Sequence, residues 1–370
     1  MKLEYVSKNV INFYFSDNKF YKDINLKKIS NFDRFIILGD INVKKQITKM
    51  LDNSQLKKKK CLTYYFKCSE KIKEAKSSEK FLKLFKKINL SIFDHIIVVG
   101  GGTIIDVIAY TSSIYKRGIS YSVVPTTLMS QVDTVSGGKT CLNFLNTKNL
   151  LGTFHYPRIA YLNSNFLISE DAIIKRQGKS EMFKYALLTS KKLLKMISKN
   201  ENIDKSILKE TIRSRFKIRQ IHSLASNLGH TFGHALEKYY NHRILHGDAV
   251  SIGILISLYF LLYKKKINKV FIHKILSVMK NLGLNIFIEK NIDYRKLVKY
   301  MSLDKKSRFD VINLVLLTDF QKIYFNSNKL PFFETDQREL NNFFSYFKKN
   351  YLFQTNDLYK KLSSKKINYK

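Results

Sequence analysis

The residues best suited to chemistry are His230 and His234, in His230-Thr231-Phe232-Gly233-His234, with His246 following in His246-Gly247-Asp248. Imidazoles at i and i+4 share one helix face and can grip a single metal. Far upstream, Glu181 and Lys184 stand at i and i+3, so a carboxylate and an ammonium also point the same way. Three nitrogen or oxygen ligands with one open position would describe a catalytic zinc. The same spacing equally suits a pair of hydrogen-bonded core histidines, and spacing alone leaves both readings open.

A second signal is Gly100-Gly101-Gly102, placed after a β-rich run and before a helix expected from about Thr103. Glycines there let the backbone approach a phosphate, and a helix N-terminus offers free N–H groups and positive potential. The run is not the G-x-G-x-x-G fingerprint, because Thr103-Ile104-Ile105-Asp106 follows the triplet; a plain tight turn is the alternative. A third segment joins Pro125-Thr126-Thr127, Gln131-Val132-Asp133, Gly137-Gly138-Lys139 and Lys148-Asn149. Its hydroxyls, acid and lysines suit a phosphorylated polyol, or else form an ordinary polar loop.

These residues need elements to hold them. In the first half, runs 35–38, 61–66, 96–99 and 121–124 read as strands, and 79–87 has a helical apolar face of Phe81, Leu82, Leu84 and Phe85. That alternation predicts an open, mostly parallel α/β sheet. From about residue 165 helical periods dominate, over 179–200, 207–221, 231–240 and 249–264, interrupted by a hairpin pairing 311–317 with 322–325. A boundary near residue 162 then separates an α/β half, 1–162, from a mainly helical half, 163–370. The tail from Phe343 is amphipathic and Lys-rich, the least informative stretch.

Composition bounds the function classes. The chain has 370 residues, 45% hydrophobic and 13% aromatic, which excludes a disordered polymer and allows two ordinary domains. Its formal charge of +37 invites a nucleic-acid reading. However, the base is carried by 55 Lys against 11 Arg, spread from end to end, whereas base and phosphate recognition favours Arg forks. Abundant Lys, Ile, Asn, Phe and Tyr with no Trp fits codon drift in an A+T-rich genome, and no nucleic-acid partner is expected. Cys61, Cys68 and Cys141 are odd in number and lack metal-type spacing, so a reducing, cytoplasmic setting is expected. The start carries no signal-type apolar region. The most apolar run, 249–263, falls short of the roughly 18 residues a membrane span needs and reads as a buried helix, so no membrane partner is expected.

Taken in order, the segments resemble the 3-dehydroquinate synthase family of sugar-phosphate cyclases. The similarity is densest at 100–106, 125–139, 148–149, 181–184 and 227–246. The resemblance implies a Rossmann-like N-terminal parallel-sheet domain, a C-terminal mainly helical domain, an active site in the cleft between them, and a homodimer. It implies conversion of 3-deoxy-D-arabino-heptulosonate 7-phosphate to 3-dehydroquinate and phosphate, a step of the shikimate pathway, through transient oxidation by NAD, phosphate elimination, reduction and an internal aldol. It assigns the divalent metal, zinc with cobalt as substitute, to Glu181, His230 and His246. His234 is instead implied beside the substrate phosphate, with Lys139, Asn149, Asn227 and one of Lys305 and Lys306. Lys184 is implied to contact substrate next to the metal, Asp133 to lie near the hydroxyls, and Arg117 to reach a neighbouring subunit's phosphate site. For NAD, the implied contacts are Asp40, Asn42, Glu70, Lys73, Gly101, Gly102, Asp106, Thr126, Thr127, Lys139, Lys148, and the segment from Phe166 to Ser169.

Departures from the family pattern matter. Ile105, Ser69 and Thr147 each stand where the family carries Gly. The stretch before Asn227, Lys217-Ile-Arg-Gln-Ile-His-Ser-Leu-Ala-Ser226, is shortened and lacks the family's Gly-Leu-Arg, whose Arg helps bind the substrate carboxylate. Lys217 is expected to keep an upstream Lys role, with Arg219 or Arg215 as candidate replacements for the Arg. The competing reading is a related cyclase, of the 2-deoxy-scyllo-inosose synthase kind, whose substrate has no carboxylate.

Overall fold

The computed structural model describes residues 10–17, 29–145, 147–200, 202–289, 291–303 and 311–350. Two compact units form, one of Met1–Lys175 with Ile203–Lys209, the other of Arg176–Asn202 with Glu210–Lys370.

The first unit is built on strands β1 (Asn12–Ser16), β2 (Arg34–Asp40), β3 (Lys60–Phe66), β4 (Asp94–Gly100), β5 (Tyr121–Pro125) and β8 (Ile159–Asn163). They make one six-stranded sheet in the order β1-β8-β5-β4-β2-β3, and every pairing in it is parallel. Helices α1 (Lys44–Asn53), α2 (Ala75–Lys87) and α3 (Gly102–Ile114) supply crossovers, and a short turn α4 (Val135–Gly137) follows a π-helical turn at Ser130–Thr134. Strands β6 (Leu142–Phe144) and β7 (Thr147–Leu151) form a separate antiparallel hairpin. Central β4 is buried along its whole length, as a parallel strand covered on both faces must be, so it reads as an unbroken apolar run after Asp94 and His95. Phe35, Ile37, Ile97, Val99, Val124 and Tyr161 form a core cluster on the sheet. After β2 the chain moves outward to β3, then returns to lay β4 on the other side of β2. Such a reversal leaves a crevice at the carboxyl ends of the strands, where α/β sheets bind ligands.

The second unit contains α5 (Ala172–Thr189), α6 (Lys191–Lys199), α7 (Lys205–Ile221), α8 (His230–Tyr239), α9 (His246–Tyr263), α10 (Lys269–Asn281), α11 (Tyr294–Ser302) and α12 (Gln337–Asn350), the first turns of α5 and α7 falling in the first unit. Small strands β9 (Ile312–Leu314), β10 (Leu317–Asp319), β11 (Lys322–Ile323) and β12 (Phe333–Thr335) complete it. Helix α9 is apolar on all sides and is long and apolar enough to cross a membrane, yet 78% of it is buried inside, the pattern of a core helix.

Three sequence expectations change here. The helical stretch 179–200 is two helices, because Ser190 is extended at φ −147° and its hydroxyl caps α6 by accepting from Leu193 N–H. The expected hairpin divides: β10 pairs with β11, whereas β9 pairs with β12 across the intervening loop. The stretch from Phe343 is not uninformative throughout, since Phe343, Phe344 and Phe347 are almost fully buried against Phe232, Phe260 and Leu261.

Candidate active site

In the second unit the metal-type residues are brought together by two seams. The first joins α5 to the N-terminus of α9. Arg176 grips Asp248 with two parallel bonds of 2.8 Å, and Gln177 Oε1 accepts from Asp248 N–H at 3.0 Å. One turn on, the Ser180 hydroxyl donates to Gly247 O at 2.7 Å. Gly247 is required at this approach, since a Cβ there would lie 2.6 Å from Gln177 Cα. Glu181 is thereby delivered against His246. The second seam joins α8 to α9, where a Cβ on Gly253 would fall 2.0 Å from Gly229 O, and Gly229 itself has φ +76°. The close approach sets the His230 and His246 rings 5.4 Å apart.

The result is one shell. Glu181 Oε1 lies 3.7 Å from both His230 Nε2 and His246 Nε2, and Lys184 Nζ lies 2.5 Å from Glu181 Oε2. Among the described residues neither Glu181 oxygen receives a well-formed hydrogen bond, although the residue is 1% exposed. A buried carboxylate is costly unless paired or bound to a metal. This carboxylate, with Lys184 at Oε2 and two imidazole nitrogens aimed at Oε1, suits a divalent cation with nitrogen and oxygen ligands. His234 lies alongside, its ring 5.4 Å from that of His230 and 6.2 Å from that of His246. Burial works against an imidazolium at His246, but the carboxylates of Glu237 and Glu181 outweigh it and raise its pKa. Asn227 is half-buried just before α8, its amide donating to Leu224 O.

On α7, Lys217 and Arg219 are exposed, and Arg213 leans toward Glu210 at 3.9 Å. Arg215 differs. It is half-buried, with its guanidinium 5.6 Å from the centre of the Tyr185 ring, and Lys184 Nζ lies 5.0 Å from the same centre. Lys305 and Lys306 lie outside the described residues.

In the first unit, Asp40 ends β2 and Gly100 ends β4, at the reversal of strand order. A Cβ on Gly100 would lie 2.6 Å from Ile104 Cγ2 and 3.3 Å from Asp40 Cβ, and one on Gly102 would lie 2.9 Å from Thr134 Oγ1, so the tight packing of this loop leaves no room for a side chain at either position. Asp40 accepts from Asn42 N–H, Thr126 N–H bonds Gly100 O, and Thr127 Oγ1 bonds Ser130 Oγ. Beyond the loop, Lys73 Nζ meets Asp106 Oδ2 at 2.8 Å, Asn149 Oδ1 at 2.7 Å and Cys141 Sγ at 3.3 Å. Burial disfavours the Lys73 ammonium, but Asp106 and its neighbours hold the pKa above the ordinary value. The Cys141 thiol is pushed up to about 12 by burial and then by Asp106, so it stays protonated and donates to Asp106. Glu70 joins through Asn143, whose amide donates to it at 2.8 Å and whose oxygen accepts from Asn149 N–H. Asn149, assigned by resemblance to the substrate phosphate, thus has its side chain on Lys73. Asp133 is half-buried, while Lys139, Lys148, Ser169 and Arg117 are exposed. Phe166 packs on the sheet core. Arg117 and Lys116 both hold positive φ, 63° and 48°, strained for non-glycine residues.

Glu237 and Asp248 stand inside segments singled out in the sequence but were given no role there, and Glu170 and Arg176 were not singled out, because their partners Leu128 and Asp248 lie 42 and 72 positions away. Glu170 receives Leu128 N–H at 3.0 Å, and burial lifts its pKa to about 7.

Comparison with known proteins decides the family. The 3-dehydroquinate synthase N-terminal and C-terminal family models match residues 63–175 and 178–307. A 3-dehydroquinate synthase of Clostridium tetani is 30% identical, covering 82% of this chain and 87% of the relative. One from Pelagibacter ubique is 32% identical over 85% of this chain and 91% of its own. This chain belongs to the 3-dehydroquinate synthase family. Solved structures agree on the fold. A 2-epi-5-epi-valiolone synthase of Streptomyces hygroscopicus with NAD⁺ and Zn²⁺ bound superposes with a TM-score of 0.77 at 18% identity, over 95% of this chain and 100% of that one. A 2-deoxy-scyllo-inosose synthase complexed with carbaglucose-6-phosphate, NAD⁺ and Co²⁺ gives 0.79 at 18%, over 90% and 95%. Within the 3-dehydroquinate synthase family, Ile105 is accommodated by burial in the first turns of α3, at 3% exposure. The shortened stretch before Asn227 runs from the end of α7, which carries Lys217 and Arg219, into a 3₁₀ turn, Ser223–Asn227, with no basic residue in the turn itself.

Proposed function

We propose that this chain is a 3-dehydroquinate synthase, a carbon–oxygen lyase that eliminates phosphate from 3-deoxy-D-arabino-heptulosonate 7-phosphate and closes the carbocycle. NAD and zinc are its cofactors, with cobalt able to replace zinc, and the cytoplasm is its setting. The observation that carries this reading is the sealed Glu181 carboxylate, paired with Lys184 through Oε2 and flanked by two imidazole Nε2 atoms, each 3.7 Å from its Oε1. NAD supplies a reversible hydride acceptor, and the metal supplies a Lewis acid for the substrate oxygen.

The chain's own residues do the rest. Glu181, His230 and His246 would hold the cation, and Lys184, 2.5 Å from Glu181, donates to the substrate beside it. Leu228 O at 3.1 Å from His230 Nδ1 keeps that ring turned with Nε2 toward Glu181. Gly101, Gly102, Thr126 and Thr127 let the backbone take a pyrophosphate at the end of the sheet. Lys73 and Asp106, joined at 2.8 Å, fix the far side of the dinucleotide. Residues 1–162 carry these cofactor contacts and some of the substrate contacts, and residues 163–370 the metal and the remaining substrate contacts. His234, Asn227, Lys139, Asp133 and one of Lys305 and Lys306 bind phosphate and hydroxyls. Arg215, held beside the Tyr185 ring near Lys184, takes the substrate carboxylate in place of the missing Arg. Arg117, on its strained turn, reaches a second copy in a homodimer.

A second reading, a cyclase for a sugar phosphate without a carboxylate, is favoured by one observation, the 3₁₀ turn before Asn227 with no basic residue. Assay separates the two. Purified protein with zinc and NAD⁺ is expected to release inorganic phosphate from the heptulosonate phosphate. Turnover of glucose 6-phosphate alone would replace the first reading by the second.

A further inference from the structure

The geometry points to Glu237 as a positioning residue that fixes the rotation and tautomer of His246, so that Nε2 faces Glu181. This inference rests on the metal reading of Glu181, His230 and His246. Glu237 lies on α8, and its side chain is 10% exposed. Its Oε2 is 3.5 Å from His246 Nδ1, on the side of the ring opposite Nε2. A neutral imidazole carries one proton, and a carboxylate beside Nδ1 holds it there, leaving the Nε2 lone pair directed at Glu181. His230 is set the same way by a different device, with Leu228 O beside its Nδ1. The two rings therefore face Glu181 through the same atom, one steered by a backbone carbonyl and the other by a side chain. Both rings stand on the first residue of a helix, and His246, 40% exposed against 13% for His230, is the one steered by a side chain.

Glu237 also belongs to a second set of possible ligands, His234, Glu237 and His246, whose ligand atoms lie within 4.8 Å of one another. A cation there would take Nδ1 of His246 and leave Nε2 protonated toward Glu181. The two arrangements predict opposite tautomers.

Zinc affinity is to be measured by chelator competition on the full chain, for the wild type, Glu237→Gln, Glu237→Ala and Glu181→Gln, with melting of each metal-free protein as the folding control. Glu237→Gln keeps an acceptor and is expected to lose about 10-fold in affinity, Glu237→Ala up to about 100-fold. The cobalt-substituted Glu237→Gln protein is expected to keep the wild-type visible spectrum, because its ligand atoms are unchanged. Affinities within about twofold of wild type in both Glu237 variants would overturn the role, as would a cobalt spectrum showing a lost ligand. Long-range ¹H–¹⁵N spectra of histidine-labelled wild type give an answer that needs no variant to fold: His246 protonated at Nδ1 supports the assignment, and at Nε2 sinks it. Wild-type protein that binds no zinc removes the metal reading itself, a result distinct from unchanged affinity on substitution.

Discussion

At the scale of single residues, charge burial explains most of what the chemistry needs. Arg215 is half-buried where the nearby basic residues Arg213, Lys217 and Arg219 are exposed, and that difference makes it the candidate for the substrate carboxylate. A charge-assisted contact of this kind is worth about 1.5–3 kcal/mol. Arg215→Ala should therefore lower kcat/KM for the heptulosonate phosphate by roughly 10- to 150-fold, and steady-state kinetics with kcat/KM unchanged would remove the assignment. Glu170 makes a pH prediction. Its pKa is raised in the fold to about 7 from an ordinary 4.5, so the folded chain holds its proton through that interval. Its contribution is fully present below about 4.5 and is lost as pH rises through about 7. Denaturant midpoints of the wild type should show this fall, and Glu170→Gln should flatten it. The Gly100–Gly102 loop was legible from residue type and position after a strand, and the grouping of Glu181, His230 and His246 from resemblance. The bonds from Arg176 to Asp248 and from Asn149 to Lys73 were not, because their partners lie 72 and 76 positions apart.

At the scale of elements, periodicity located strands and helices well where one face or both are buried. It failed where a capping hydroxyl interrupts a continuous apolar pattern. Leu187, Leu188, Leu193 and Ile197 keep helical spacing across Ser190, but the chain is extended there. The β1 strand, the β6–β7 hairpin and the fully buried β8 went unread: β1 is only half-buried, most of β6–β7 faces outward, and the five residues of β8 are too short a run to stand out. The α8–α9 seam gives a direct test. Gly253→Ala puts a methyl into Gly229 O, and the backbone on both sides leaves it no easy relief. Overpacking of this kind costs about 1–3 kcal/mol. Thermal unfolding should report that loss, together with weaker zinc retention, since His230 and His246 are set by this seam. Unaltered melting would show that the helices part without cost.

At the scale of the whole molecule, the charge of +37 is a field rather than a binding motif. Lysines spread along the chain raise the local concentration of any anion, and salt screens the effect over about 10 Å at 0.1 M. For a phosphorylated acid substrate, kcat/KM should fall as ionic strength rises while kcat stays level. A flat kcat/KM would mean that the charge steers nothing. The parallel-sheet half and the helical half were both legible because long-range order of this kind follows from the alternation of element types. The arrangement of the small strands near the end of the chain was not, since pairings between three-residue strands carry almost no pattern of their own.

A gene drifting toward A and T loses glycine readily, because its codons are rich in guanine and most single-base changes put a side chain in its place. On the surface such replacement is harmless, and lysine, asparagine and isoleucine accumulate. Where α8 crosses α9, a methyl would collide with a carbonyl oxygen, so Gly253 is a position at which mutational pressure meets a hard wall. The inner seam should therefore be the part of this chain that base composition has been least able to rewrite.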